Sequence, residues 1–225
     1  MIHNIDYSKI EFPPLLNVTE QHIDISSLTK NQKQYYIELF KECVEVYKTK
    51  SKSRVIIGLA GPAGSGKSVI GAIFKEIAKQ LPLPLQFETV GIDAFHFRNA
   101  FLLTHFVDNQ PLKNHKGRFD TYDVPKLTSA LANFALGKEV YFPLYSRKIH
   151  DPIDTAITVH KNSPTLLLLE GTWILSDDTE WRNVYKLLDF SIFVHANKEK
   201  VRQGVLERHM RGGRTLKDES DYFEM

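Results

Sequence analysis

The residues best placed to do chemistry in this sequence lie in one stretch, Gly61-Pro62-Ala63-Gly64-Ser65-Gly66-Lys67-Ser68. The stretch fits the pattern G-x-x-x-x-G-K-[ST], which binds the phosphates of a nucleotide. An apolar run, Val55 to Ala60, leads into it, and an apolar-periodic segment, Val69 to Ala78, follows. Strand, glycine loop and helix are the context the pattern needs; the alternative is a glycine-rich turn that only connects two elements. The glycines let the backbone curl so that successive N–H groups point inward as an anion nest. The helix that follows aims the positive end of its dipole at the same spot. Lys67 is then a point charge for the outer phosphates and the Ser68 hydroxyl a Mg²⁺ ligand. The candidate ATP-binding set runs from Gly61 through Pro62, Ala63, Gly64, Ser65, Gly66, Lys67 and Ser68 to Val69, which opens the helix.

Two carboxylates are expected beside it. Leu85 to Ile92 reads as the next strand, and its carboxyl end delivers Asp93. A strand–helix–strand crossover of this length implies a parallel sheet. In such sheets the working groups gather beyond the carboxyl ends of the strands, so Asp93 and the loop are expected on one rim. Asp93-Ala94-Phe95-His96-Phe97-Arg98 reads as a substrate wall, with a helix N-cap as the other reading of Asp93. Thr165 to Leu169 is a buried strand tipped by Glu170 and then Gly171. That is where an acid of the magnesium shell belongs, the alternative being a solvated strand end. Asn197 caps a helix from Lys198 to about Met210, with Arg202, Arg208 and Arg211 on it and Arg214 just past Gly212-Gly213. Arginines on a helix form a solvated face or, with a glycine hinge, a lid that sets Arg208 and Arg211 on a transferring phosphoryl group.

The elements that must position these groups follow from periodicity. Residues 1–28 read as irregular, broken by Pro13-Pro14. Thr29 to Lys50 reads as a helix, with Tyr36, Leu39, Phe40, Cys43, Val44 and Tyr47 at three-and-four spacing. It is expected to pack on the core; a regulatory or homodimer-forming arm is the alternative. The tract Lys48 to Arg54 reads as a solvated linker. The loop helix stops at Leu81-Pro82-Leu83-Pro84, and residues 99–115 hold a short helix and a loop. Asp123 is a candidate cap for a helix with Pro125 in its first turn, a Leu127, Leu131, Phe134 stripe and Gly137 as its stop. Val140 to Tyr145 and Ala156 to Val159 read as a hairpin. Its connection carries Arg147, Lys148, His150 and Asp151, as a substrate lid or a polar surface loop. Trp181 to Leu188 reads as helix and Phe190 to Val194 as strand. Residues 1–53 form an extension and residues 54–225 the phosphate-binding domain.

Composition bounds the rest. A chain of 225 residues with 42% hydrophobic and 25% charged content is an ordinary soluble globular protein of one domain with a modest extension. A net charge of +2 gives no argument for nucleic acid or an anionic membrane as partner. The lone Cys43 excludes an internal disulfide framework and fits a reducing, cytoplasmic location. Met1 to Glu11 is polar and mixed, unlike a signal peptide, and the longest apolar run is too short to span a membrane.

Taken in order, Gly61 to Ser68, Gly91-Ile92-Asp93-Ala94-Phe95, Lys116-Gly117 with Tyr122-Asp123, Pro143-Leu144-Tyr145-Ser146 and Leu169-Glu170-Gly171 resemble the phosphoribulokinase/uridine kinase family. Within it the bacterial type I pantothenate kinases and nucleoside-kinase-like relatives look closest, over about residues 54–215. The resemblance implies an α/β, P-loop nucleoside-triphosphate hydrolase fold. Its parallel sheet would be flanked by helices, with a small β-hairpin and an N-terminal helical extension. It implies transfer of the γ-phosphoryl group of ATP, with Mg²⁺, to a small-molecule alcohol. Asp93 stands at the catalytic-base position, Lys67 and Ser68 at the loop lysine and magnesium hydroxyl, and Glu170 at the acid of the Glu-Gly strand end. Tyr145 matches a tyrosine facing the acceptor, and His96, Arg118, Tyr122, Arg147 and His150 complete the candidate acceptor site. Arg147 and His150 replace a histidine and a tyrosine of pantothenate kinases, and Arg118 and Arg147 would suit an acceptor bearing an anionic group. The family usually continues with another helix and strand beside the adenine, so an open adenine site or a missing piece is expected here.

Two other functions compete. Asn197-Lys198-Glu199-Lys200 is similar to a guanine-reading Asn-Lys-x-Asp, which would make a nucleotide-dependent switch, but Lys200 stands where the carboxylate is needed. A module that binds nucleotide without turnover is the third reading.

Overall fold

The computed structural model describes residues 5–18 and 20–211. Strands β1 (Leu15–Val18) and β2 (Gln21–Asp24) form an antiparallel hairpin, and helix α1 (Lys30–Thr49) follows. β3 (Arg54–Ala60), α2 (Lys67–Lys79) and β4 (Gln86–Gly91) make the crossover unit. A 3₁₀ turn, Ile92–Phe95, leads to α3 (Asn99–Thr104) and a minimal hairpin, β5 (Phe106–Val107) with β6 (Gln110–Pro111). Then come α4 (Val124–Ala135), the hairpin β7 (Val140–Ser146) and β8 (Asp151–Val159), β9 (Thr165–Gly171), α5 (Trp181–Tyr185), β10 (Phe190–Phe193) and α6 (Lys198–Arg211).

The central sheet has the order β10-β3-β9-β4, and all its pairs are parallel. β3 and β9 are buried along almost their whole length, which is why each reads as a continuous apolar run rather than an alternating one. Register matters for the site. Ala60 pairs with Gly171, and Gly91 pairs with Glu170. Three strands therefore end at one level, and the chain leaving each of them starts on the same rim.

Each face of the sheet is covered. On one, α1, α2 and the β1–β2 hairpin bury Phe40, Phe74 and Phe87 in an edge-to-face cluster with centroids 5.4, 5.5 and 6.5 Å apart. On the other, α4 and the β7–β8 hairpin bury Leu127, Leu131, Phe134 and Phe142 beside Trp181. Truncating Phe40, which is fully buried, to alanine is expected to cost about 3–5 kcal/mol.

The helix ends have clear causes. Thr29 and Gln32 form a reciprocal capping box at the start of α1. Asp123 accepts from the Lys126 amide at 3.0 Å and Pro125 follows it, which fixes the start of α4. Gly137, at φ 76°, terminates that helix in a conformation costly for other residues.

Three expectations need correction. Residues 15–24 are a hairpin, not irregular chain: Leu16 and Val18 face inward and are buried against the core. Arg54 does not belong to a solvated linker; it is 2% exposed. Its guanidinium donates to the carbonyls of Phe134 (2.9 Å), Lys138 and His160 (both 2.6 Å) and Ser163 (3.2 Å). One buried cation thus ties the end of α4 and the β8–β9 connection to the base of β3. Finally, α5 stops at Tyr185, short of Leu188.

Candidate active site

The rim holds a cleft of about 550 Å³ lined by Lys67, Ser68, Asp93, His96, Tyr122, Tyr145, Arg147, His150 and Glu170. That volume suits a small-molecule site. Its phosphate side is the loop between β3 and α2. Gly66 takes φ 90° as it enters α2, which a β-carbon would strain. Gly64, at φ 77°, lies against α6: a β-carbon there would come within 2.6 Å of the Val201 carbonyl oxygen. Reciprocally, a β-carbon on Gly204 would sit 2.7 Å from the Gly64 carbonyl oxygen. Loop and helix touch backbone to backbone at these two glycines.

Lys67 Nζ donates to the carbonyls of Gly61 and Pro62, each at 2.8 Å. Ser68 Oγ donates to Glu170 Oε1 at 3.0 Å, while Glu170 Oε2 is buried without a hydrogen-bond partner among the described residues. Burial is the main cause raising the Glu170 pKa; the Asp93 charge adds to it, and Ser68 and Lys67 oppose it. A buried acid with one orphaned oxygen, beside a hydroxyl and a lysine, is poised to gain a cation.

Asp93 sits in the 3₁₀ turn directly after β4, with its side chain 41% exposed. It caps no helix: Gly91 precedes the turn and Arg98 precedes α3. Among the described residues three side chains lie within 4 Å of its carboxylate. Tyr122 Oη donates to Oδ1 at 3.5 Å, His96 Nε2 lies 3.9 Å from Oδ1, and Arg147 Nη2 lies 3.8 Å from Oδ2. The turn is held by a short ladder to residues 121–123: Phe97 N donates to Thr121 O at 3.0 Å and Asp123 N to Phe95 O at 2.7 Å. His96 and Tyr122 stack across this ladder, centroids 3.8 Å apart. Burial pushes the His96 pKa down to about 4, against the opposing pull of the Asp93 charge, so the ring is neutral near pH 7.

The far wall is gathered by Lys116. Its ammonium donates to Asn99 Oδ1 at 3.1 Å and to the His150 carbonyl at 2.7 Å, and it lies 5.1 Å from the Tyr145 ring centre. Burial lowers its pKa, and Asp151 and Asp93 counter that. Trp173 Nε1 donates to the Gly117 carbonyl at 2.9 Å, which holds the Lys116–Gly117 turn against the end of β9.

Of the candidate acceptor residues, Arg118 is the one that stays out of the cleft wall; of the phosphate-loop candidates, Gly61, Pro62, Gly64, Ser65, Gly66 and Val69 also lie outside its lining. Asp120, two residues after Arg118, takes the Arg118 Nε at 3.1 Å and Nη2 at 2.9 Å. The side chains of Arg208 and Arg211, and all of Arg214, lie outside the described residues. Asn197 Oδ1 accepts from the Glu199 amide at 2.8 Å, as a cap at the start of α6.

Sequence reasoning passed over Lys116 as a site residue, although Lys116-Gly117 was among the quoted motifs. It also passed over Glu20, at the tip of the β1–β2 hairpin. Glu20 accepts from Ser146 Oγ at 3.1 Å and from the amides of Arg147 at 2.9 Å and Lys148 at 3.2 Å. Desolvation works against the charge, yet the donors of Lys148, Ser146 and Arg147 outweigh it and hold the carboxyl below its ordinary value. No periodic signal links an exposed acid to a turn so far away in sequence.

A model of the Phosphoribulokinase / Uridine kinase family matches residues 56–217. The uncharacterized protein YggC of Escherichia coli is 35% identical over 72% of this chain and 65% of its own length. A pantothenate kinase of Listeria monocytogenes is 29% identical over 93% of this chain and 68% of its own. The chain thus spans about two thirds of these relatives. A solved structure of D-glycerate 3-kinase from Cryptococcus neoformans superposes with a TM-score of 0.60 over 84% of each chain at 15% identity, a likeness of fold alone.

Proposed function

The chain belongs to the phosphoribulokinase/uridine kinase family, and from that membership we propose that it transfers the γ-phosphoryl group of ATP to an alcohol of a small metabolite. A nucleoside, a pantothenate-like acid and a sugar are the acceptors in view. One observation carries the reading: the Asp93 carboxylate opens on the same cleft as Lys67, Ser68 and Glu170. An acid beside a phosphate cradle is what phosphoryl transfer to a hydroxyl requires.

The chemistry asks for positioning and charge stabilisation more than covalent help. The acceptor hydroxyl donates to Asp93, which takes its proton as the oxygen bonds to the γ-phosphorus. The bond from that phosphorus to the bridging oxygen breaks, and ADP leaves. Lys67 exchanges the Gly61 and Pro62 carbonyls for phosphate oxygens and neutralises charge there. Mg²⁺ fits the donor set: Ser68 Oγ and the Glu170 carboxylate are hard oxygens, and Oε2 is an orphaned acceptor. When bound the cation would neutralise the charge on the outer phosphates. Arg208 and Arg211 complete the proposal as cations for the transferred group.

The test is ADP release from Mg·ATP against a panel of nucleosides, pantothenate, sugars and sugar phosphates. Acceptor-dependent release that Asp93→Asn abolishes is expected. Nucleotide binding with no acceptor-dependent release would overturn the proposal.

A further inference from the structure

The hydrogen on the His96 ring can be located by counting donors and acceptors. Nδ1 faces two oxygens of Thr121, the carbonyl at 3.0 Å and Oγ1 at 3.1 Å. The carbonyl can only accept. Oγ1 sends its own hydrogen to the Arg118 carbonyl at 2.7 Å and accepts from the Gly117 amide at 3.2 Å. Neither oxygen has a hydrogen left for the ring, so Nδ1 carries the proton. In the neutral ring Nε2 is then a bare lone pair. It lies 3.9 Å from Asp93 Oδ1, beyond hydrogen-bond reach, and both atoms are acceptors. Nothing in the pair donates to the other, and both open on the cleft.

We propose that His96 is a specificity-determining residue that selects acceptors with a second hydroxyl on the carbon next to the phosphorylated one. The argument rests on the kinase reading above. A single hydroxyl has one hydrogen, and that hydrogen goes to Asp93. Among the described residues no hydrogen bond reaches Nε2, and a second hydroxyl on the substrate would supply its donor. Two hydroxyls on neighbouring carbons donate side by side and match two acceptors at this separation. A mono-ol would leave a partly buried nitrogen without a donor, the condition under which a site rejects a substrate lacking a group.

Two measurements test this. Long-range ¹H–¹⁵N NMR on the ligand-free protein, with the His96 signals identified by their loss in His96→Gln, reads the tautomer. A neutral ring protonated on Nδ1 at pH 7 is expected; protonation on Nε2, or an imidazolium, overturns the inference. ADP release from the wild-type protein is then compared within matched pairs, glycerate against 3-hydroxypropanoate and glycerol against 1,3-propanediol. The vicinal diol of each pair is expected to win by about a hundredfold or more in kcat/KM, and His96→Phe, which keeps a ring on Tyr122, should bring the ratio near one. Acceptor-dependent turnover with no diol preference sinks this inference and leaves the kinase reading standing. No turnover with any acceptor on the wider panel sinks the kinase reading and this inference with it.

Discussion

The phosphate side of the cleft comes from one unbroken run, Gly61 to Ser68, and one strand end, Glu170. The proposed acceptor side is assembled from the β1–β2 tip, the turn after β4, the Lys116–Tyr122 segment, the β7–β8 turn and Trp173. The first is local geometry set by glycines and a helix N-terminus. The second depends on contacts between segments far apart in sequence, with Lys116 and Glu20 as the ties. A phosphate cradle built this way can stay constant while the acceptor wall changes piece by piece.

The comparison can be broken or sharpened by perturbing each side and asking which substrate notices. The largest effect is expected from Asp93→Asn: a loss of about 10³ or more in kcat, with ADP affinity by calorimetry within twofold of wild type. Lys67→Met should lower kcat/KM for ATP by about 10²–10³ and leave acceptor binding unchanged; equal damage to both would mean that the two sides are not separable. Acid should act on the acceptor wall. His96 has a folded pKa of about 4, well below its ordinary 6.5, so below pH 6.5 the unfolded chain takes up a proton that the folded protein refuses. Stability from this group is complete above pH 6.5 and is lost as pH falls toward about 4, by at most about 3 kcal/mol. Urea melts across that window should show the loss, and His96→Gln should flatten it. The smallest effect is expected from Glu20→Ala: about a fivefold rise in acceptor KM with the ATP KM unchanged, and faster hydrogen exchange at the Arg147 and Lys148 amides. Unchanged exchange would remove Glu20 from the acceptor wall.

The same contrast governs what could be read from the sequence. The loop, both strand-end acids and the stripes of α1 and α4 obey short-range rules of spacing, and the structure has them where those rules expect. The β1–β2 hairpin broke the reading because its strands are four residues each and follow a Pro-Pro breaker. Arg54 looks solvated in the sequence because it ends a basic tract, and nothing local reveals four carbonyls converging on it from 80 to 109 residues away. Arg118 has the chemistry of an anion ligand, but Asp120 two residues on already supplies its anion. Lys116 stands in a motif that says nothing of what it ties, and Glu20 has no signature at all, since each acts by joining segments that only the fold brings together.

The glycine pair where the phosphate loop meets α6 also sets a length. An α-helix turns about 100° per residue, so one residue added between β10 and Lys198 would rotate Gly204 away from the Gly64 carbonyl and present the longer Gln203 in its place. The short connection at 194–197 is thus a ruler cut to whole residues, and insertions there should be tolerated far less well than in the exposed turn at 108–109.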